Sequence, residues 1–315
     1  MLYDQVARQI SSFSKAHAHL DEAGLGIKES VVIRADNVAQ YFFVNSPQVH
    51  WSLAKDFPNL APPFPNFWIE YQSPNEVNEN GSLLQFPVPP GVPWPKIGLW
   101  FTAVTREMLL EHNPSRLKEM ALGAKWLVYI TPFIGDEQSG ASSWGISWLY
   151  QVGPNGAVIG MPSTFEPGKL SYMGIEGQAG VPAQTLIDVH PLWEAMCGPA
   201  LMAICFMHCK NVAMSEHLER HAHHRRSAQG KPPAGLTYHT LEIEPIKRIL
   251  SKEGQAHKTG IQMAMHICRG HFKTFKPGHG LFGKHEGTYW WESQVRGSPE
   301  RGEANKDYDV NAPQN

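Results

Sequence analysis

Apolar residues along this chain recur at two periods, and the change between them marks where helix gives way to strand. Leu2, Val6, Ile10 and Phe13 step by three and four residues, which predicts a helix over residues 2–22. Trp126, Val128 and Ile130 alternate with Leu127 and Tyr129, an apolar run on both faces that predicts a buried strand over Trp126–Phe133. Lys96–Thr105 also reads as strand, followed by helix over Arg106–Leu122 with Thr105 as its N-cap. Trp144–Tyr150 and Ala157–Met161 flank Gly153-Pro-Asn-Gly156, a hairpin turn. Val31–Val44 predicts one or two short strands. Phe67–Tyr71, set within the proline-rich stretch of residues 57–95, predicts an edge strand, because its prolines forbid regular helix there.

The second half is less regular. Gln184–Cys209 predicts a helix broken at Gly198-Pro199, and residues 213–235 a frayed helix leading into an exposed loop. Leu236–Ile243, Gly260–Phe275 and Gly287–Val295 predict strands, the last two forming a hairpin. Strands on either side of a helix predict an α+β fold, mainly an antiparallel sheet with several packed helices. Three regions follow: an N-terminal α+β region with the proline-rich segment (1–183), a helix plus a basic, histidine-rich β region (184–297), and a polar tail (298–315).

Charge changes this picture. The net formal charge of −2 conceals thirteen Lys/Arg against five Asp/Glu between His208 and His285, a local +8, and eleven of the sixteen histidines lie in the same window. A basic block within an acidic chain predicts an anionic partner, nucleic acid being the commonest. The longest apolar stretch, near Ala195–Met207, is interrupted by Gly198-Pro199 and too short to span a bilayer, so no membrane partner is expected. Cys197, Cys205, Cys209 and Cys268 read as small buried thiols of a reducing, cytoplasmic compartment, and no signal pattern opens the chain.

Chemistry concentrates in His266-Ile-Cys-Arg-Gly-His-Phe-Lys-Thr-Phe275. As one regular strand it puts His266, Cys268, Gly270 and Phe272 on one face and Ile267, Arg269, His271 and Lys273 on the other. Guanidinium, imidazole and ammonium in a row suit a phosphodiester backbone. Arg225 and Arg226 add basic contacts, and Tyr289 or Trp291 a stacking ring. His217, Arg220, His221 and His224 fall on one face at helical spacing, a second phosphate-binding candidate. Cys268, His271, His279 and His285 offer zinc-type donors, but strand alternation separates Cys268 from His271, so neither metal nor cofactor is expected. Walker, dinucleotide-binding and nucleophile-elbow motifs are absent.

The segments His208-Cys-Lys-Asn-Val212, Arg225-Arg226…Gly230-Lys-Pro-Pro233…Tyr238-His-Thr-Leu241 and His266-x-Cys-Arg-Gly-His-Phe…Gly280-Leu-Phe-Gly283…Gly287-Thr-Tyr-Trp-Trp291…Arg296-Gly297 resemble a family of uncharacterised proteins of bacteriophages and bacterial mobile elements. The resemblance covers roughly the last third and implies a bacterial cytoplasmic, phage-related setting, without an activity. The residues themselves lead to three expected functions. The first is nucleic-acid association through the basic strand face. The second is a metal-independent phosphodiesterase or RNase, with His271 and either His266 or His239 as acid and base and Arg269 stabilising the phosphorane. The third is a protein-binding inhibitor or assembly factor.

Overall fold

The structure, a computed structural model, describes residues 2–7, 26–45, 56–72, 96–112, 114, 117, 120–136, 140–143, 146–160, 173–174, 196–218, 237–244, 264–268, 270–281, 283–291, 294–296 and 298–303. The chain divides into two compact units, Met1–His208 with Val212–Glu242, and Cys209–Asn211 with Ile243–Asn315.

The first unit is built on one mixed sheet. In chain order its elements are β1 (Val31–Arg34), α1 (Asp36–Asn45), β2 (Asn66–Gln72), β3 (Lys96–Thr105), α2 (Arg106–His112), β4 (Trp126–Asp136), β5 (Gly140–Ser143), β6 (Ile146–Val152), β7 (Val158–Gly160), β8 (Met173–Gly174), β9 (Val212–Leu218) and β10 (Thr237–Ile243). Strand order is β7-β6-β4-β3-β2-β1-β10-β9, with β5 pairing β4 and β8 pairing β6. β1 is parallel to both neighbours, β2 and β10, whereas β2–β3, β3–β4, β4–β6 and β6–β7 are antiparallel.

Alternation along β2 assigns its two faces. On one, Trp68 packs with Leu2, Tyr3, Val6, Ile27, Val32, Trp100 and Phe133. Trp68 lies across Gly98, where a Cβ would meet its Cζ2 at 2.1 Å, so only glycine fits beneath the indole. On the other face Phe67 stacks on Phe101 with centroids 4.6 Å apart, and the Tyr71 hydroxyl donates to the Met196 carbonyl. That carbonyl opens the described helical residues 196–207, which carry no charged side chain and are buried at Met196, Cys197 and every position from Ala200 to Phe206. A helix without a polar stripe can only sit inside a core.

Several expectations are corrected here. The α+β reading with a mainly antiparallel sheet and several packed helices gives way to a sheet-dominated, mixed architecture, because parallel β1 sits inside the sheet and strand residues outnumber helical ones among those described. Phe67–Tyr71 is not an edge: β2 lies between β1 and β3. Within Val31–Val44 only the first four residues are strand; α1 follows, its Asn37 side chain donating to the Leu241 carbonyl at 2.9 Å. Residues 196–207 run through Gly198-Pro199 as unbroken helix. Residues 212–218 are strand β9 rather than helix, so the helical histidine face through His217 does not form; the remainder of 213–235 up to Leu236 lies outside the described residues. The polar tail includes a strand, Ser298–Glu303.

Candidate nucleic-acid interface

The second unit holds β11 (Ala264–Cys268), β12 (His271–Phe275), β13 (Gly287–Trp291), β14 (Gln294–Arg296) and β15 (Ser298–Glu303). The expected single strand over Gly260–Phe275 is two strands. β11 pairs with β14 and β15, whereas among the described residues β12 pairs only with β13. β11 ends at Cys268 and β12 begins at His271, just after the buried Gly270. The predicted face through Ile267, Arg269, His271 and Lys273 thus spans two strands in different sheets, and its described part is His271 and Lys273 on β12, with Arg269 outside the described residues.

That part is a two-stranded antiparallel ribbon. His271 lies opposite Trp291, Lys273 opposite Tyr289 and Phe275 opposite Gly287. These six residues share one face. His271 and Lys273 are exposed, Phe275 and Trp291 half-buried, and Tyr289 is buried at 7 % exposure. The His271 and Trp291 rings lie nearly parallel, 13° apart with centroids at 6.5 Å. The Lys273 ammonium stands 5.0 Å from the Trp291 centroid and 5.1 Å from that of Phe275. Exposed contacts of this kind contribute about 0.5–1 kcal/mol, so the ammonium is placed over the rings without being fixed there. Tyr289 meets Phe275 and His285 edge-on, and Trp291 lies tilted against Phe275 with centroids 6.0 Å apart. Phe272 and Trp290 form the opposite face, with Trp290 2 % exposed.

The loop between the strands adds exposed Lys276, His279 and Lys284. Glu286 is the one acidic residue between Gly270 and Trp291, and its carboxylate accepts the Gly278 N–H at 2.7 Å. Residues Lys210 and Asn211 run along the outer edge of β13. The Lys210 N–H donates to the Thr288 carbonyl at 2.8 Å. Gly287 has φ +99°, and a Cβ there would meet the Lys210 Cε at 3.2 Å, so the lysine stem lies over this end of the ribbon face. Sequence reasoning missed Lys210 because the pairing that brings it here spans 78 residues.

The other predicted residues are placed as follows. Arg225, Arg226 and Arg269 lie outside the described residues. His266 is on β11, opposite Arg296 in the register. His239 belongs to the first unit, on β10; its Nδ1 is 3.3 Å from the Val32 carbonyl and its Nε2 4.0 Å from a Glu216 carboxylate oxygen. His285 is buried at 8 % exposure and His279 exposed, and among the described residues no three His, Cys, Asp or Glu side chains gather as metal ligands.

No family model, curated protein or solved structure matches this chain. Among the described residues no helix is long and apolar enough to cross a membrane.

Proposed function

We propose that this protein binds nucleic acid through the phosphate backbone, using the β12–β13 ribbon and its loop. One observation carries the reading: Lys273, Lys276 and Lys284 are exposed on the ribbon and its loop together with His271 and His279, while Glu286, the one acidic residue in the sequence between Gly270 and Trp291, accepts a hydrogen bond from the loop backbone. Lysines clustered in this way exchange their counterions for phosphates. Titrating an oligonucleotide across ionic strength tests the reading. Affinity is expected to fall steeply with salt, and Lys273→Ala, Lys276→Ala and Lys284→Ala combined to flatten that slope by about two to three units. Salt-indifferent binding, or a triple variant that binds as the parent does, overturns it.

A further inference from the structure

We infer that the strand taken by this ribbon is single-stranded nucleic acid, with an unpaired base seated on Trp291. This rests on the phosphate-binding reading above and adds the substrate class. Trp291 is a half-buried ring on this face, nearly parallel to the His271 imidazole and capped by the Lys273 ammonium. In a duplex the π-faces of the bases are covered by their neighbours, and only their edges and the phosphates are offered. A tryptophan lying in strand register, with His271 opposite it and Phe275 6.0 Å away, is a flat surface rather than a protruding wedge. Such a surface takes an exposed base face, and every unpaired base has one.

Lys273 links the two contacts. Over Trp291 and Phe275 it occupies the place a base would take. When a base stacks there, the ammonium moves to the adjoining phosphate, so the rings exchange one π-contact for another and the cation gains an anion. Lys210 is exposed at the far end of the face, its stem over Gly287. Four residue steps separate the His271–Trp291 pair from the Phe275–Gly287 pair, about 13 Å at the rise of a strand. Phosphate contacts at both ends of that span suit a short extended strand.

The test compares the full chain binding to an oligothymidylate and to a duplex hairpin of equal phosphate count, at one salt concentration, with Trp291→Ala and Trp291→Phe alongside. The oligothymidylate is expected to bind at least about tenfold more tightly. Trp291→Ala should lose about tenfold of that affinity while lowering the duplex affinity far less, and Trp291→Phe should recover most of the loss. Equal or tighter binding of the duplex overturns the inference and leaves phosphate binding standing; so does a Trp291→Ala variant that binds the oligothymidylate as the parent does. Binding of neither by the parent protein overturns the phosphate reading as well. The parent comparison needs no variant, so a misfolded substitution cannot blur the outcome.

Discussion

Asn211 holds Trp290 by both of its backbone polar groups. The side-chain oxygen accepts the Trp290 N–H at 2.9 Å, and the side-chain amide donates to the Trp290 carbonyl at 3.0 Å. The same amide donates to the Glu244 carbonyl at 2.9 Å, and the Asn211 carbonyl accepts the Glu244 N–H at 2.8 Å. One buried side chain thus stands in for a neighbouring strand. Asn211→Ala leaves a buried N–H and two carbonyls without these partners, and is expected to destabilise the second unit by about 1–3 kcal/mol. Asn211→Asp should be no better, since it turns an oxygen toward both carbonyls. Denaturant unfolding followed by tryptophan fluorescence measures both.

Glu70 predicts a pH dependence in the first unit. Its Oε2 accepts the Tyr3 N–H at 3.0 Å and the Trp68 indole N–H at 3.2 Å. Burial raises its pKa, and those two hydrogen bonds only partly offset the shift. A carboxyl whose folded pKa lies above its unfolded value binds more protons when folded. Its contribution is therefore fully present below the unfolded pKa and lost as pH rises through the folded one. Glu70→Gln keeps an acceptor for both donors and removes the titration. The melting temperature of the variant should fall less than that of the parent as pH rises across this window.

Gly287→Ala should weaken the ribbon itself. A Cβ at φ +99° is strained, and it would crowd the Lys210 stem at 3.2 Å. The loss is expected to be about 1–2 kcal/mol by thermal melting. Adding Lys210→Ala should recover the part due to crowding and none of the part due to backbone strain.

The thiols of the helix at 196–207 and the residues just after it should be inert in the folded protein. Burial pushes Cys197 well above the ordinary thiol range and Cys209 up to about 12. The Cys205 Sγ donates to the Asn59 carbonyl at 3.2 Å. Thiolates are the reactive species. Labelling with a thiol reagent near neutral pH, mapped by mass spectrometry, should leave all three unmodified until denaturant is added.

What could be read from sequence alone was the local part. Alternation over Trp126–Phe133 placed the core of β4, and the Gly153–Gly156 turn placed the hairpin of β6 and β7, whose Gly153 N–H does donate to the Ala157 carbonyl at 2.9 Å. Thr105 caps α2 as its position suggested, its hydroxyl accepting the Met108 N–H at 3.3 Å. Misreadings came where distant residues decide. Phe67–Tyr71 looked like an edge because its second neighbour, β1, arrives from outside the local pattern. His271 and Lys273 were assigned to one face correctly, but β11 and β12 separate at a position where apolar and polar residues keep their spacing, so no periodic signal marks the break. Asn211 carried no local hint at all, since its value lies in fitting Trp290, 79 positions later.

The central position of β1 has a consequence for synthesis on the ribosome. One flank of this strand is covered by β2, close behind it in the chain, but the other waits for β10, whose Thr240 pairs with Arg34. Until that late segment emerges, the nascent polypeptide presents an open apolar border in the middle of its future sheet, the kind of border on which chains associate with one another. Translation speed and chaperone occupancy should therefore govern the soluble yield of this protein more than its final stability does.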